Sequence, residues 1–230
     1  MNEFFETSLF AGVFLSLAAY ELGAFLKSKF KLGIFNPLFV SITVTIIVLL
    51  AGRIDYNVYY ASAKYISWLL TPATVCLAIP LYEKWALLKN NIKAVGLGLC
   101  AGTATSLTTV FVLSLLFGLS HEEYVTLLPK SITTAIGMGI SEELGGYVAI
   151  TVAVIVVTGV LGNMFAELIC KVFRITDPVS RGLAIGCSSH AIGTAKAMEL
   201  GKTEGAMSSL AIAVSGILTV ILANVYAYFL

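Results

Sequence analysis

The sequence predicts an all-α fold: a polytopic transmembrane helical bundle with interrupted or re-entrant helices. Three observations predict it. Of 230 residues, 58% are hydrophobic and only 12% charged, and the mean hydropathy is +0.94. Soluble domains carry roughly 25% charged residues, so this chain has too little polar surface to cover itself in water. Several stretches free of Asp, Glu, Lys, Arg and His reach the roughly 20 residues that a helix needs to cross a bilayer core of about 30 Å. Two others are too short to cross and are rich in Gly, Ser and Thr. Lipid leaves open strands unsatisfied, and the long runs lack period-2 alternation, so helices remain. The composition excludes an ordinary cytosolic enzyme and a disordered chain. With 14 basic against 13 acidic residues, net +1, no footprint for nucleic acid exists.

The length predicts one unit over residues 1–230. Spans are expected near 7–26, 32–52, 65–82, 94–120, 144–166 and 205–230. The first is interrupted only by Glu21 and follows an acidic start, Met1-Asn2-Glu3, without the basic region of a cleavable signal. It is therefore expected to stay as a span. Glu21 precedes Lys27, Lys29 and Lys31, and Glu167 precedes Lys171 by four positions; interfacial ion pairs are the expected use of both acids. The span 65–82 contains Pro72 and Pro80. A proline inside a helix removes a backbone bond and clashes with the preceding turn, so this span is either bent or interrupted.

Residues 129–143 and 178–199 are expected to be broken or re-entrant. Their uncharged cores, 131–141 and 182–195, are shorter than a crossing requires. Non-helical backbone at membrane depth survives only where protein or a watery cavity surrounds it, which makes both segments candidate sites. Lys and Arg alternate between loops: none before the first span, then Lys27, Lys29 and Lys31, and later Lys84, Lys89 and Lys93. The positive-inside rule then puts the N-terminus outside and Lys171 and Arg174 inside, provided that 129–143 enters and leaves on the outer face. Residues 71–75 and 129–135 share a Pro-bearing, hydroxyl-rich pattern, as inverted repeats would. The four cysteines, Cys76, Cys100, Cys170 and Cys187, form no C-x-x-C pair and read as small packing residues.

The candidate binding residues are Thr71, Thr74, Lys130, Ser131, Thr133, Thr134, Ser188, Ser189, His190 and Thr194. Pro129 suits a first helical turn, whose free N–H groups attract anions. Lys130 with the hydroxyls of Ser131, Thr133 and Thr134 would add donors for a carboxylate; the other reading makes Lys130 an interfacial anchor. Gly182, Gly186, His190 and Thr194 fall on one helical row. An ionisable residue inside the membrane is a functional candidate, although a histidine bonded to a nearby carbonyl would be structural. Ser188-Ser189-His190 has no Gly-x-Ser-x-Gly elbow, and Walker, Rossmann and HExxH patterns are absent. No catalysis, cofactor or metal is expected.

The sequence resembles the LrgB/CidB family of bacterial membrane proteins. The resemblance is carried by Leu70-Thr71-Pro72-Ala73-Thr74-Val75, Ile79-Pro80-Leu81-Tyr82 and Leu128-Pro129-Lys130-Ser131-Ile132-Thr133-Thr134. It continues in Ser189-His190-Ala191-Ile192-Gly193-Thr194-Ala195 and Glu204-Gly205-Ala206-Met207-Ser208-Ser209-Leu210-Ala211. Ala135 stands where the family usually has proline. The resemblance implies a bacterial plasma-membrane protein with two functional readings. One is a transporter of small monocarboxylates (the pyruvate, glycolate or glycerate class) working by alternating access. The other is an antiholin-like or holin-like modulator of murein hydrolase export and autolysis, acting with a small LrgA/CidA-type partner. The expected partners are a small carboxylate, the lipid bilayer, that small membrane protein and further copies of the chain, with no nucleic acid.

Overall fold

The computed structural model describes residues 5, 7–30, 35–76 and 78–230, and every regular element among them is helical. The chain divides into two compact units, Met1–Cys76 and Leu77–Leu230.

The first unit contains α1 (Ala11–Phe30), α2 (Pro37–Gly52), α3 (Tyr56–Trp68) and α4 (Leu70–Cys76). Helix α2 starts where Asn36 accepts from the backbone N–H groups of Leu38 and Phe39, with Pro37 in the first turn, so the span expected at 32–52 has its described helix only from Pro37. Asp55 caps α3 in the same way, accepting from Asn57 N at 2.8 Å. Helix α1 packs on α2 and α3 through its glycines. Gly12 N–H donates to Ser62 Oγ at 2.9 Å, and a β-carbon on Gly23 would lie 2.7 Å from Pro37 Cα. Glu21 is exposed on α1. The span expected at 65–82 is interrupted after Trp68, where α3 ends. Trp68 is the residue four before Pro72, whose missing N–H leaves the Trp68 carbonyl without its helical donor.

The second unit contains α5 (Ala78–Glu83), α6 (Trp85–Asn90), α7 (Ile92–Phe117), α8 (His121–Leu127), α9 (Thr134–Glu143), α10 (Val148–Val172), α11 (Pro178–Leu200) and α12 (Lys202–Tyr226). Helices α7 and α10, and α12 together with its 3-10 extension to Phe229, are long and apolar enough to cross a membrane. They correspond to the expectations at 94–120, 144–166 and 205–230.

Residues 120–147 make the first of two helical hairpins in this unit. Ser120 and Glu123 form a reciprocal capping box that starts α8. Helix α8, about 10 Å long, and α9, about 15 Å long, are each too short to cross. The chain between them, 128–133, is irregular. Helix α9 then runs back beside α8. Gly137 lies against Pro129, and Ser141 Oγ joins Thr126 around the Thr151 hydroxyl, which is 2.7 Å from Ser141 Oγ and 2.9 Å from the Thr126 carbonyl. Tyr147 N–H closes the base on Thr126 Oγ1 at 2.8 Å. Entry and exit therefore share one end, beside the start of α10, and Lys130 stands at the tip.

Helix α11 makes the second hairpin. Asp177 caps it, accepting from Ser180 N at 2.8 Å, and Pro178 sits in its first turn. At His190 the backbone turns (φ 41°, ψ −140°), and 191–200 run back beside 178–189. Ile185, Ala197 and Leu200 pack together with Ala166, and Leu200 reaches the same pocket as Arg181. A straight helix would hold residues 181 and 200 about 28 Å apart. The base of this hairpin lies at the far end of α10, so the two hairpins enter from opposite ends. Thus 129–143 and 178–199 both lie in hairpins, and the counterpart of the 129–134 tip within this unit is the turn at 188–190.

Glycines allow α11 to approach α12. A β-carbon on Gly182 would strike the Glu204 carbonyl, and one on Gly186 the Ser208 carbonyl. The positive φ at His190 costs about 1–3 kcal/mol, and surrounding bonds hold it. Thr194 Oγ1 donates to the His190 carbonyl at 2.9 Å and lies 2.7 Å from Ser208 Oγ. Asn163 Nδ2 donates to the Ile192 carbonyl at 2.7 Å. Carbonyls freed by the turn are thus satisfied in the interior, as buried backbone requires. Helix α10 ends on Arg174 in the left-handed region (φ 54°), with Ile175 N–H donating to the Cys170 carbonyl at 2.8 Å. Glycine is the usual residue there; an arginine costs about 1–2 kcal/mol.

Candidate functional site

The second unit forms a half-open cavity of about 720 Å³ between α7 and the outgoing arm of α11. Helix α7 and its cap contribute one stripe, Asn91, Val95, Gly98, Gly102, Thr105 and Thr109, at three- and four-residue spacing. That spacing is one face of a helix. From α11 come Ser180, Ala184 and Ser188, also four apart. Small residues make the space: a β-carbon on Gly98 would meet only Leu183 Cδ1, 3.9 Å away. The Ser180 to Ser188 stretch rises about 12 Å, so the cavity runs from the base of the second hairpin toward its tip.

Lys130 and Ser131, the tip of the first hairpin, close the inner end. Lys130 Nζ donates to Ser131 Oγ at 2.9 Å and to Ser106 Oγ at 3.4 Å, and those two hydroxyls are 3.0 Å apart. The half-buried ammonium forms no ion pair among the described residues. A cation withdrawn from water without an acidic partner favours any anion that can reach it. At the other end, the backbone N–H and then the hydroxyl of Ser180 hold the Asp177 carboxyl below the usual carboxylate range. The cavity therefore offers one positive charge at its inner end, and the acid at its mouth is already engaged with Ser180.

The structure brings Lys130, Ser131 and Ser188 to one cavity and places the other sequence candidates elsewhere. Ser189 is buried against Gly162, where a β-carbon would strike its hydroxyl. His190 is 4% exposed and its Nε2–H donates to the Ile155 carbonyl at 3.0 Å. A carbonyl only accepts, so the ring hydrogen is on Nε2. Thr194 is buried in the α11–α12 contact. Thr133 precedes α9 without a side-chain cap, and Thr134 opens it; neither lines the cavity. The side chains of Thr71 and Thr74 lie outside the described residues, and both positions belong to the first unit. Glu167 pairs with Lys196 at 3.2 Å, and not with Lys171 as expected; Glu199 shares that lysine, also at 3.2 Å.

Sequence reasoning missed Ser106, Thr105 and Thr109. They sit in a long apolar run where hydroxyls are commonly spent on the helix itself, as Thr109 Oγ1 donates to the Thr105 carbonyl at 2.7 Å. The signal was their spacing with Gly98 and Gly102. Among the described residues no group of His, Cys, Asp and Glu stands ready to hold a metal.

The LrgB-like family matches residues 16–229. The chain is 35% identical to the antiholin-like protein LrgB of Bacillus cereus (strain B4264) over 220 residues, which is 95% of this chain and 96% of that one. The same figures hold for the antiholin-like protein LrgB of Bacillus anthracis (strain A0248). No solved structure matches significantly. Membrane-length apolar helices, two hairpins entering from opposite ends and similarity along nearly the whole length lead to one assignment: this chain is a membrane protein belonging to the LrgB-like family.

Proposed function

We propose that the chain is an antiholin-like membrane protein, as its relatives are named, and that it acts as a carrier of small monocarboxylates. The observation that supports the carrier reading is Lys130: an ammonium at the inner end of a cavity, bonded to hydroxyls and, among the described residues, to no acid. A carboxylate satisfies the charge, and the Ser106 and Ser131 hydroxyls suit the oxygen substituents of the pyruvate, glycolate or glycerate class. Two hairpins entering from opposite ends supply the second requirement. Moving one hairpin tip against the other would open the site to alternate faces. A lesion-forming protein needs neither feature. Control of autolysis would follow from altered carboxylate flux. On this reading the chain sits in the cell membrane with its N-terminus outside and Lys171 and Arg174 inside.

The relatives' name favours a second reading, in which the chain regulates murein hydrolase export together with a small LrgA/CidA-type partner. Proteoliposomes separate the two. The carrier reading expects saturable uptake of pyruvate, glycolate or glycerate by the chain alone, with no leakage of an unrelated neutral solute. Uptake equal to empty liposomes for all three acids, or leakage without selectivity, overturns it in favour of the regulator.

A further inference from the structure

Three cations gather at the base of the second hairpin, away from the cavity. Lys171 and Arg174 end α10, and Arg181 lies in the first turns of α11. With Cys170, Thr176 and Leu200 they line a separate pocket of about 430 Å³. None of the three forms an ion pair among the described residues. The two acids nearby are committed elsewhere. Glu167, which also lines the pocket, is held by Lys196 at 3.2 Å, and Asp177 makes its bonds to Ser180. Arg181 is anchored by its Nε, which donates to the Ile175 carbonyl at 2.7 Å. Its two terminal amino groups are left over, in the fork that suits a phosphate.

Arg174 carries backbone strain of its own. It occupies the left-handed position that ends α10, where glycine is the unstrained choice. Arg53 ends α2 in the same conformation (φ 49°), so the strain at Arg174 serves only to predict that a glycine there is tolerated.

We propose that this pocket binds a phosphate-bearing anion at the membrane surface, held by Lys171, Arg174 and Arg181. Basic pockets between membrane helices on the cytoplasmic side recognise phosphate headgroups, and a lipid anion there would brace the base of the hairpin against the end of α10. A free phosphate would make the same contacts, and the test distinguishes the two sources.

Thermal unfolding of the full-length protein in neutral detergent is followed with added phosphatidylglycerol, phosphatidylcholine or inorganic phosphate at matched ionic strength. The expected result is a saturable rise in melting temperature with phosphatidylglycerol and none with phosphatidylcholine. A matching rise with inorganic phosphate assigns the site to soluble phosphate; its absence assigns it to the lipid. Arg174→Gly removes the strain along with the cation, so the unliganded melting temperature holds or rises while the half-saturating concentration increases about tenfold or more. Arg181→Gln increases it similarly. No rise with either phosphate source overturns the proposal. So does an unchanged midpoint in both variants, or an equal rise with chloride.

Discussion

Lys130 and His190 stand at the tips of two hairpins that meet inside one unit, each in a short Gly-, Ser- or Thr-rich stretch. Their surroundings are opposite. The ammonium of Lys130 faces open space and touches only hydroxyls. The imidazole of His190 is 4% exposed, gives its hydrogen to the Ile155 carbonyl and packs on Gly159, where a β-carbon would come within 2.8 Å of its Nε2. The first tip is built to receive something, and the second to hold itself in place. An ionisable residue within a broken membrane segment is thus a pointer to the break, and only its partners tell ligand site from joint.

Substitutions can break this contrast, beginning with the largest expected effect. Lys130→Ala should lower carboxylate uptake at least about tenfold, the worth of a charge-assisted bond. Thermal stability should hold, because no acid is left unpaired. An uptake assay paired with a melting curve reads both. Gly98→Leu should also block uptake by filling the cavity. Its new side chain meets only Leu183 at first contact, and replacing a helical glycine adds about 1 kcal/mol of stability. A plugged protein at least as stable as the wild type is the expected pairing, and unchanged uptake would move the binding place elsewhere. His190→Ala should do the reverse. It removes the side-chain bond to the Ile155 carbonyl and empties a buried site, which costs about 1–3 kcal/mol, seen as a lower melting temperature, with uptake per folded molecule unchanged. Thr194→Val comes last: it removes the hydroxyl between the His190 carbonyl and Ser208 for about 1 kcal/mol, measurable as a small drop in the same melting curve.

The breaks were legible in the sequence because their causes are local. Pro72 ends α3 four residues upstream, and the uncharged stretches after Lys130 and Arg181 were too short to cross. The reversal at His190 was legible only as an interruption. One residue with positive φ performs it, and no glycine or proline stands at that position to announce it. The division of labour among the site candidates was not legible. Ser188 and Ser189 are neighbours, yet one lines the cavity and the other is buried against Gly162, because adjacent helical positions point about 100° apart. The Glu167–Lys196 pair joins residues 29 positions apart in sequence (196 − 167), and it is created only when the second arm of α11 folds back along α10.

Equilibrium binding of labelled pyruvate, glycolate and glycerate to the purified full-length protein tests the role of Lys130 most directly. Saturable binding of at least one of them to the wild type, lost in both Lys130→Ala and Gly98→Leu but kept in His190→Ala, is the predicted result. Binding of equal strength in the wild type and Lys130→Ala, or no binding of any of the three acids to the wild type, would contradict it.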